Sequence, residues 1–150
     1  MTAHGRVLFL CPHNAAKSVL AVAEFNRLAR QRGLSLRADS AGTEPDAAPS
    51  PAVVAALLAD GIDVTDHRPR RVTAEDLAAA DHIITLGCDI AALLPPGASI
   101  VSWDDVPPVS RDLEGARTAI SELVERLVVE LAADQGGVEH HTGESLRCSG

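Results

Sequence analysis

Tyrosine is missing from this 150-residue chain, and aromatic side chains are confined to Phe9, Phe25 and Trp103. A core must therefore be assembled from Ala, Val, Leu and Ile. Positive charge is also short: the formal net charge is −8, which argues against the basic face that nucleic acids and anionic membranes select. No apolar run approaches the roughly 20 residues of a membrane helix, and the opening "MTAHGR" does not have the pattern of a signal peptide. Three cysteines, Cys11, Cys88 and Cys148, are too few and too unevenly spaced for a disulfide framework. Such usage is expected of a reducing cytoplasmic compartment and favours a catalytic or redox cysteine over a structural bridge. Apart from His140 and His141, nothing resembles a zinc ligand set, and neither a metal nor a cofactor is implied. The last scarcity is lysine. Arginine occurs twelve times and lysine once, as Lys17.

What is present alternates between strand and helix patterns. Residues 6–11, "RVLFLC", read as a short buried strand. From Ser18 to Arg32, Ala21, Phe25 and Leu28 recur at helical spacing, with Gly33 as the stop. Residues 34–42 alternate like a strand. Ser50-Pro51 is a cap and first turn for a helix bearing Val54, Leu57 and Leu58, closed by Gly61. Thr73 and Asp76 have capping-box spacing at the head of a helix through Ala80. Residues 82–87 and 99–103 are two further strands. An amphipathic helix over 112–133 carries Leu113, Ala116, Ile120, Leu123, Leu127 and Leu131 on one face. Beyond it, 135–150 lack an apolar period and are expected to be a disordered tail, leaving one domain over 1–134. Four strands separated by helices predict a three-layer α/β/α fold around a parallel four-stranded sheet. In such sheets ligands bind outside the C-terminal strand ends, where the strand order reverses. The loop after the first strand, "CPHNAAKS" (11–18), lies at such an end.

A tight loop leading into a helix N-terminus presents backbone N–H groups that can cradle an anion. The same field stabilises a thiolate at Cys11 and makes it a nucleophile. Ser18 can donate its hydroxyl to that sulfur, Asn14 tolerates the left-handed conformation such a loop needs, and Lys17 is expected to face the oxyanion as a point charge.

These residues resemble the low-molecular-weight phosphotyrosine phosphatase superfamily, which includes the thiol-linked arsenate reductases. The signature Cys-x5-Arg-Ser stands here as "CPHNAAKS", followed in order by "ADSAGT" (38–43), "GIDVTDHRPRRVTAEDL" (61–77) and "ADHIITLGCD" (80–89). The resemblance spans roughly residues 6 to 131 and implies the phosphatase-I-like, flavodoxin-like fold. It also implies a loop of Pro12, His13, Asn14, Ala15, Ala16, Lys17 and Ser18 around a phosphate-like oxyanion or phosphomonoester. Cys11 would attack phosphorus, and an aspartic acid after the fourth strand would protonate the leaving oxygen. In "SWDDVPPVSRD" (102–112) that acid is read as Asp105, with Asp104 behind it, although neither directly precedes a proline as the family pattern asks.

Two departures bear on activity. Lys17 replaces the family arginine, against the chain's own preference, and exchanges a planar two-oxygen fork for one compact charge. That should weaken transition-state stabilisation by roughly a few kcal/mol. The aromatic walls of a phosphotyrosine cleft have no counterpart, which points to a smaller or less aromatic phosphomonoester. The wording "HNA" and "TLGCD" is similar to the arsenate reductases, in particular those served by a small-molecule thiol as reductant. Cys88 stands where several of them carry a cysteine, while their second one is replaced at Ala91-Ala92. As a small apolar residue at a strand end, Cys88 is read first as structural, and Cys148 as a bystander. His13 is read as an anion contact or as loop packing. The charges of "HRPRR" (67–71) are read as a solvated turn, with substrate attraction as the other choice. Asp39, Ser40 and Thr43 are read as braces of the loop. Three functions stay open: phosphomonoester hydrolysis, arsenate reduction with a thiol, and non-catalytic oxyanion binding.

Overall fold

A computed structural model describes the backbone of residues 5–140 and the side chains of 5–133. The first strand, β1 (Gly5–Cys11), leads through the 12–16 loop into helix α1 (Lys17–Gln31), which returns the chain to β2 (Leu36–Gly42). Helices α2 (Pro51–Ala59) and α3 (Ala74–Ala79) precede β3 (His82–Thr85); β4 (Ile100–Ser102) precedes α4 (Leu113–His140). The four strands form one parallel sheet in the order β2-β1-β3-β4. This is the architecture read from the alternating patterns, with β1 one residue longer than read and the other three strands trimmed by one or two residues at one or both ends.

Local chemistry accounts for the boundaries. Gly33 and Gly61 carry positive φ of 66° and 82° at the ends of α1 and α2, where a side chain would be strained. Ser50 caps α2 through Val53 N, and Thr73 and Asp76 form the reciprocal capping box of α3. The long helix passes the boundary expected near Ala133 and continues to His140. The rest of the expected tail, including Cys148 and His141, lies outside the described residues.

Successive β1 side chains enter opposite layers. Val7, Phe9 and Cys11 join the cluster made with α1, α2 and α4, which contains Phe25, Leu57, Ile120 and Val124. Leu8 and Leu10 join a smaller cluster with Val72, Leu77 and Ile83 beneath α3. A strand buried on both faces must read as an unbroken apolar run, as β1 does from Val7 to Cys11. With aromatics so scarce, all three come together. Phe9 lies 6.0 Å from Phe25, edge to face, and 5.6 Å from Trp103. The strand order reverses beside β1, so the 12–16 loop emerges at the sheet's switch point. Among the described residues no helix is long and apolar enough to cross a membrane.

Candidate functional site

The loop is shaped by where its carbonyls go. Pro12 O accepts from Glu44 N at 2.7 Å, His13 O from Asp46 N at 3.0 Å, and Ala15 O from Ser50 N at 2.9 Å. Asn14 O lies 2.8 Å from His67 Nε2; a carbonyl only accepts, so that nitrogen carries the proton. Ala16 O accepts from Leu20 N within the first turn of α1. In a planar trans peptide the N–H points away from the carbonyl. Turning these carbonyls outward therefore turns the N–H groups of His13 through Lys17 inward. None of those five N–H groups has a hydrogen-bond partner among the described residues, and no side chain caps α1.

Asn14 is the keystone. It is fully buried and takes the left-handed conformation, with φ of 51°. Its amide nitrogen donates to Ser18 Oγ and Ser40 Oγ, each at 2.9 Å, and its Oδ1 accepts from Arg70 N at 3.0 Å. One side chain thus ties α1, β2 and the 67–71 segment to the loop. Cys11, only 4% exposed, closes the floor with Sγ 3.0 Å from Ser18 Oγ. Because Asn14 already donates to Ser18 Oγ, the hydroxyl proton is free to turn toward sulfur once the thiol ionises.

The "HRPRR" segment is a solvated turn only in part: Arg68 and Arg71 are exposed, while His67 and Arg70 are half-buried. His67 and the Arg70 backbone hold Asn14, Arg71 donates to Thr43 O, and Arg70 bonds Asp76 at 2.9 Å. The segment also joins Gly42 in a bridge, with Gly42 N donating to Arg70 O. Periodicity carries no trace of this role; the signal available was that this segment, like the loop, belongs to the quoted family stretches. Of the three residues expected to brace the loop, Ser40 bonds Asn14 directly, Asp39 faces solvent and pairs with Arg70, and Thr43 contributes its carbonyl. His13 turns its ring toward Glu44 O and Asp46, away from the cradle.

Lys17 departs from expectation. Its Nζ donates to Val106 O at 3.0 Å, so one of its three donors is committed to the segment after β4. That segment holds Asp104 and Asp105, both exposed and neither hydrogen-bonded to the described residues. Cys88 packs with the cluster beneath α3, on the other sheet face from the Cys11 cluster. Burial pushes its thiol up to about 11, with the charge of Cys11 and then Asp89 adding to the rise against a Leu86 backbone hydrogen bond. No group of three or more potential metal ligands gathers among the described residues.

A ring of inward N–H groups at a helix start, floored by a sulfur with an adjacent hydroxyl, can accept a tetrahedral oxyanion and attack it. Residues 6–102 match the family model described as low molecular weight phosphotyrosine protein phosphatase, and the chain belongs to that family. Its relatives include proteins named for either reaction. A Halobacterium salinarum protein named "Putative arsenate reductase" is 26% identical over 122 residues, covering 80% of this chain and 86% of its own. The arsenate reductase of Archaeoglobus fulgidus is 32% identical, covers 81% of this chain and 98% of its own, and has a TM-score of 0.67. YfkJ of Bacillus subtilis is 24% identical with a TM-score of 0.77, over 89% of this chain and 98% of its own.

Proposed function

We propose that the chain hydrolyses a phosphomonoester through a phosphocysteine at Cys11. The reading is carried by the carbonyl arrangement of residues 12–16, which leaves five N–H groups without partners among the described residues around a buried sulfur. In the first step the Cys11 thiolate attacks phosphorus, an S–P bond forms, and the P–O bond to the leaving group breaks. The carboxylic acid of Asp105, or of Asp104, gives its proton to the departing oxygen. In the second step water attacks phosphorus with the same carboxylate as base, releasing phosphate and the thiolate. The loop amides bind the equatorial oxygens and stabilise the charge of both transition states. With no tyrosine and no aromatic wall, the substrate is a phosphomonoester smaller or less aromatic than phosphotyrosine.

Arsenate reduction is the second reading, favoured by the names of the Halobacterium and Archaeoglobus relatives. Here Cys11 would displace water from arsenate. A thiol would then attack the Cys11 sulfur of the arsenocysteine, forming a disulfide as arsenic leaves reduced by two electrons, and a second thiol would restore Cys11. A thiol titrating near 11 is almost wholly protonated at neutral pH and a slow nucleophile. This favours an external thiol over Cys88 as the attacking group.

Two assays on the same preparation separate the readings: release of p-nitrophenol from its phosphate, and arsenate-dependent oxidation of glutathione. The first reading expects phosphate-ester turnover that is lost in Cys11→Ser. Thiol oxidation without ester turnover would replace it with the second. Phosphate binding by calorimetry with neither turnover leaves an oxyanion-binding protein, and no binding at all removes the site.

A further inference from the structure

The 103–112 segment has few anchors. Trp103 N donates to Thr85 O at its start, and Arg111 N and Asp112 N fold back onto Pro108 O within it. Among the described residues, the Lys17 Nζ bond to Val106 O is the one hydrogen bond joining residues 104–111 to the rest of the protein. Val106 itself is 4% exposed and sits in the same apolar cluster as Cys11 and Val19. The bond therefore spans two elements that flank the loop, 89 residues apart in sequence. It is charge-assisted and partly shielded from water, which places it among the stronger hydrogen bonds.

We infer that Lys17 is a positioning residue, clasping the aspartate-bearing 103–112 segment onto the start of α1. A single carbonyl oxygen asks for a compact donor, and the lysine tip supplies one; a guanidinium fork is shaped for two oxygens on one plane. The clasp gives a reason for a lone lysine in a chain otherwise furnished with arginine. Its consequence for chemistry rests on the phosphomonoester reading above: without the clasp, Asp104 and Asp105 would lose their fixed approach to the leaving oxygen. The clasp itself does not depend on that reading and is open to test without substrate.

Lys17→Met keeps most of the side-chain length and removes the donor. With no substrate or phosphate added, amide hydrogen exchange at Trp103, Arg111 and Asp112, the hydrogen-bonded amides of the segment, should quicken by about tenfold, and the emission of Trp103, the only tryptophan, should shift to the red. Exchange at Asp46 and Ser50, which hold the loop from outside, should not change. Among substrates, the loss in kcat/KM, which reports the first step, should be larger for an alkyl phosphate, whose leaving oxygen needs a proton, than for p-nitrophenyl phosphate, whose leaving group does not. Should that variant fail to fold, Lys17→Leu, which also removes the donor and suits a helix start, repeats the exchange and fluorescence test. Unchanged exchange and emission overturn the clasp. A quickened segment with equal kcat/KM losses on both esters overturns the positioning role. Absence of turnover and of phosphate binding in the wild type refutes the phosphomonoester reading, while the exchange without substrate still decides the clasp.

Discussion

At the scale of single residues, Asn14 concentrates more structure than any other loop member. Its side chain makes three hydrogen bonds while fully buried, so Asn14→Ala would leave Ser18, Ser40 and the Arg70 N–H without that partner. A buried polar group deprived of its partner costs about 1–3 kcal/mol; we expect a loss of that order in urea unfolding, and weaker phosphate binding by calorimetry. Cys88 offers a contrast in thiol chemistry. Its ionisation is displaced upward by burial and by the Cys11 charge to about 11, whereas an ordinary thiol titrates near 8.5. At about pH 8.5, iodoacetamide should alkylate Cys88 in the folded chain about a hundredfold more slowly than in urea, converging only as pH nears 11. Site-resolved mass spectrometry checks this, and equal rates would restore Cys88 as a candidate resolving thiol. The raised ionisation also means that whatever stability Cys88 lends the fold is present below its unfolded pKa and is lost as pH climbs through about 11.

At the scale of elements, the loop is held by neighbours that approach it closely. A Cβ on Gly42 would lie 2.6 Å from Pro12 O and 2.9 Å from Cys11 O. Both are backbone atoms that cannot swing aside, so Gly42→Ala must displace β2 or the loop. We expect destabilisation of about 1–3 kcal/mol in denaturant unfolding, and lowered ester turnover, since the displaced carbonyls orient the cradle. Here the sequence was partly legible. The Thr73–Asp76 box, the Ser50-Pro51 cap and the glycine stops are local signals, and each appears where its chemistry requires it. Asn14 in the left-handed conformation was legible for the same reason. The 67–71 strap was not, because its function is to satisfy carbonyl and amide groups 53 to 56 positions away, and spacing within the segment says nothing of such partners. Lys17 was legible as an anomaly, but its bond to Val106 was not.

At the scale of the whole molecule, one ion pair links the outer layer to the site. Asp76 caps α3 and binds Arg70, whose backbone holds Asn14. Burial opposes ionisation of Asp76, but hydrogen bonds from Arg70 and Thr73 outweigh it and hold the carboxyl below its usual range. A carboxylate lowered in this way contributes stability that is fully present above its unfolded value near 3.8 and disappears as pH falls through the lower folded value. Between about pH 4 and pH 2, therefore, the wild type should lose more urea resistance than Asp76→Asn, whose side chain cannot titrate. Parallel losses in the two proteins would show that the pair does not govern acid stability.

The succession of strands and helices, the caps and the place of the 12–16 loop follow from the chain alone, because each depends on residues a few positions apart. Only the folded molecule decides which carbonyls face out, which cation meets which segment, and which cysteine lies on which side of the sheet. Those outcomes arise from contacts between distant residues, brought together when the apolar clusters close on the two faces of β1.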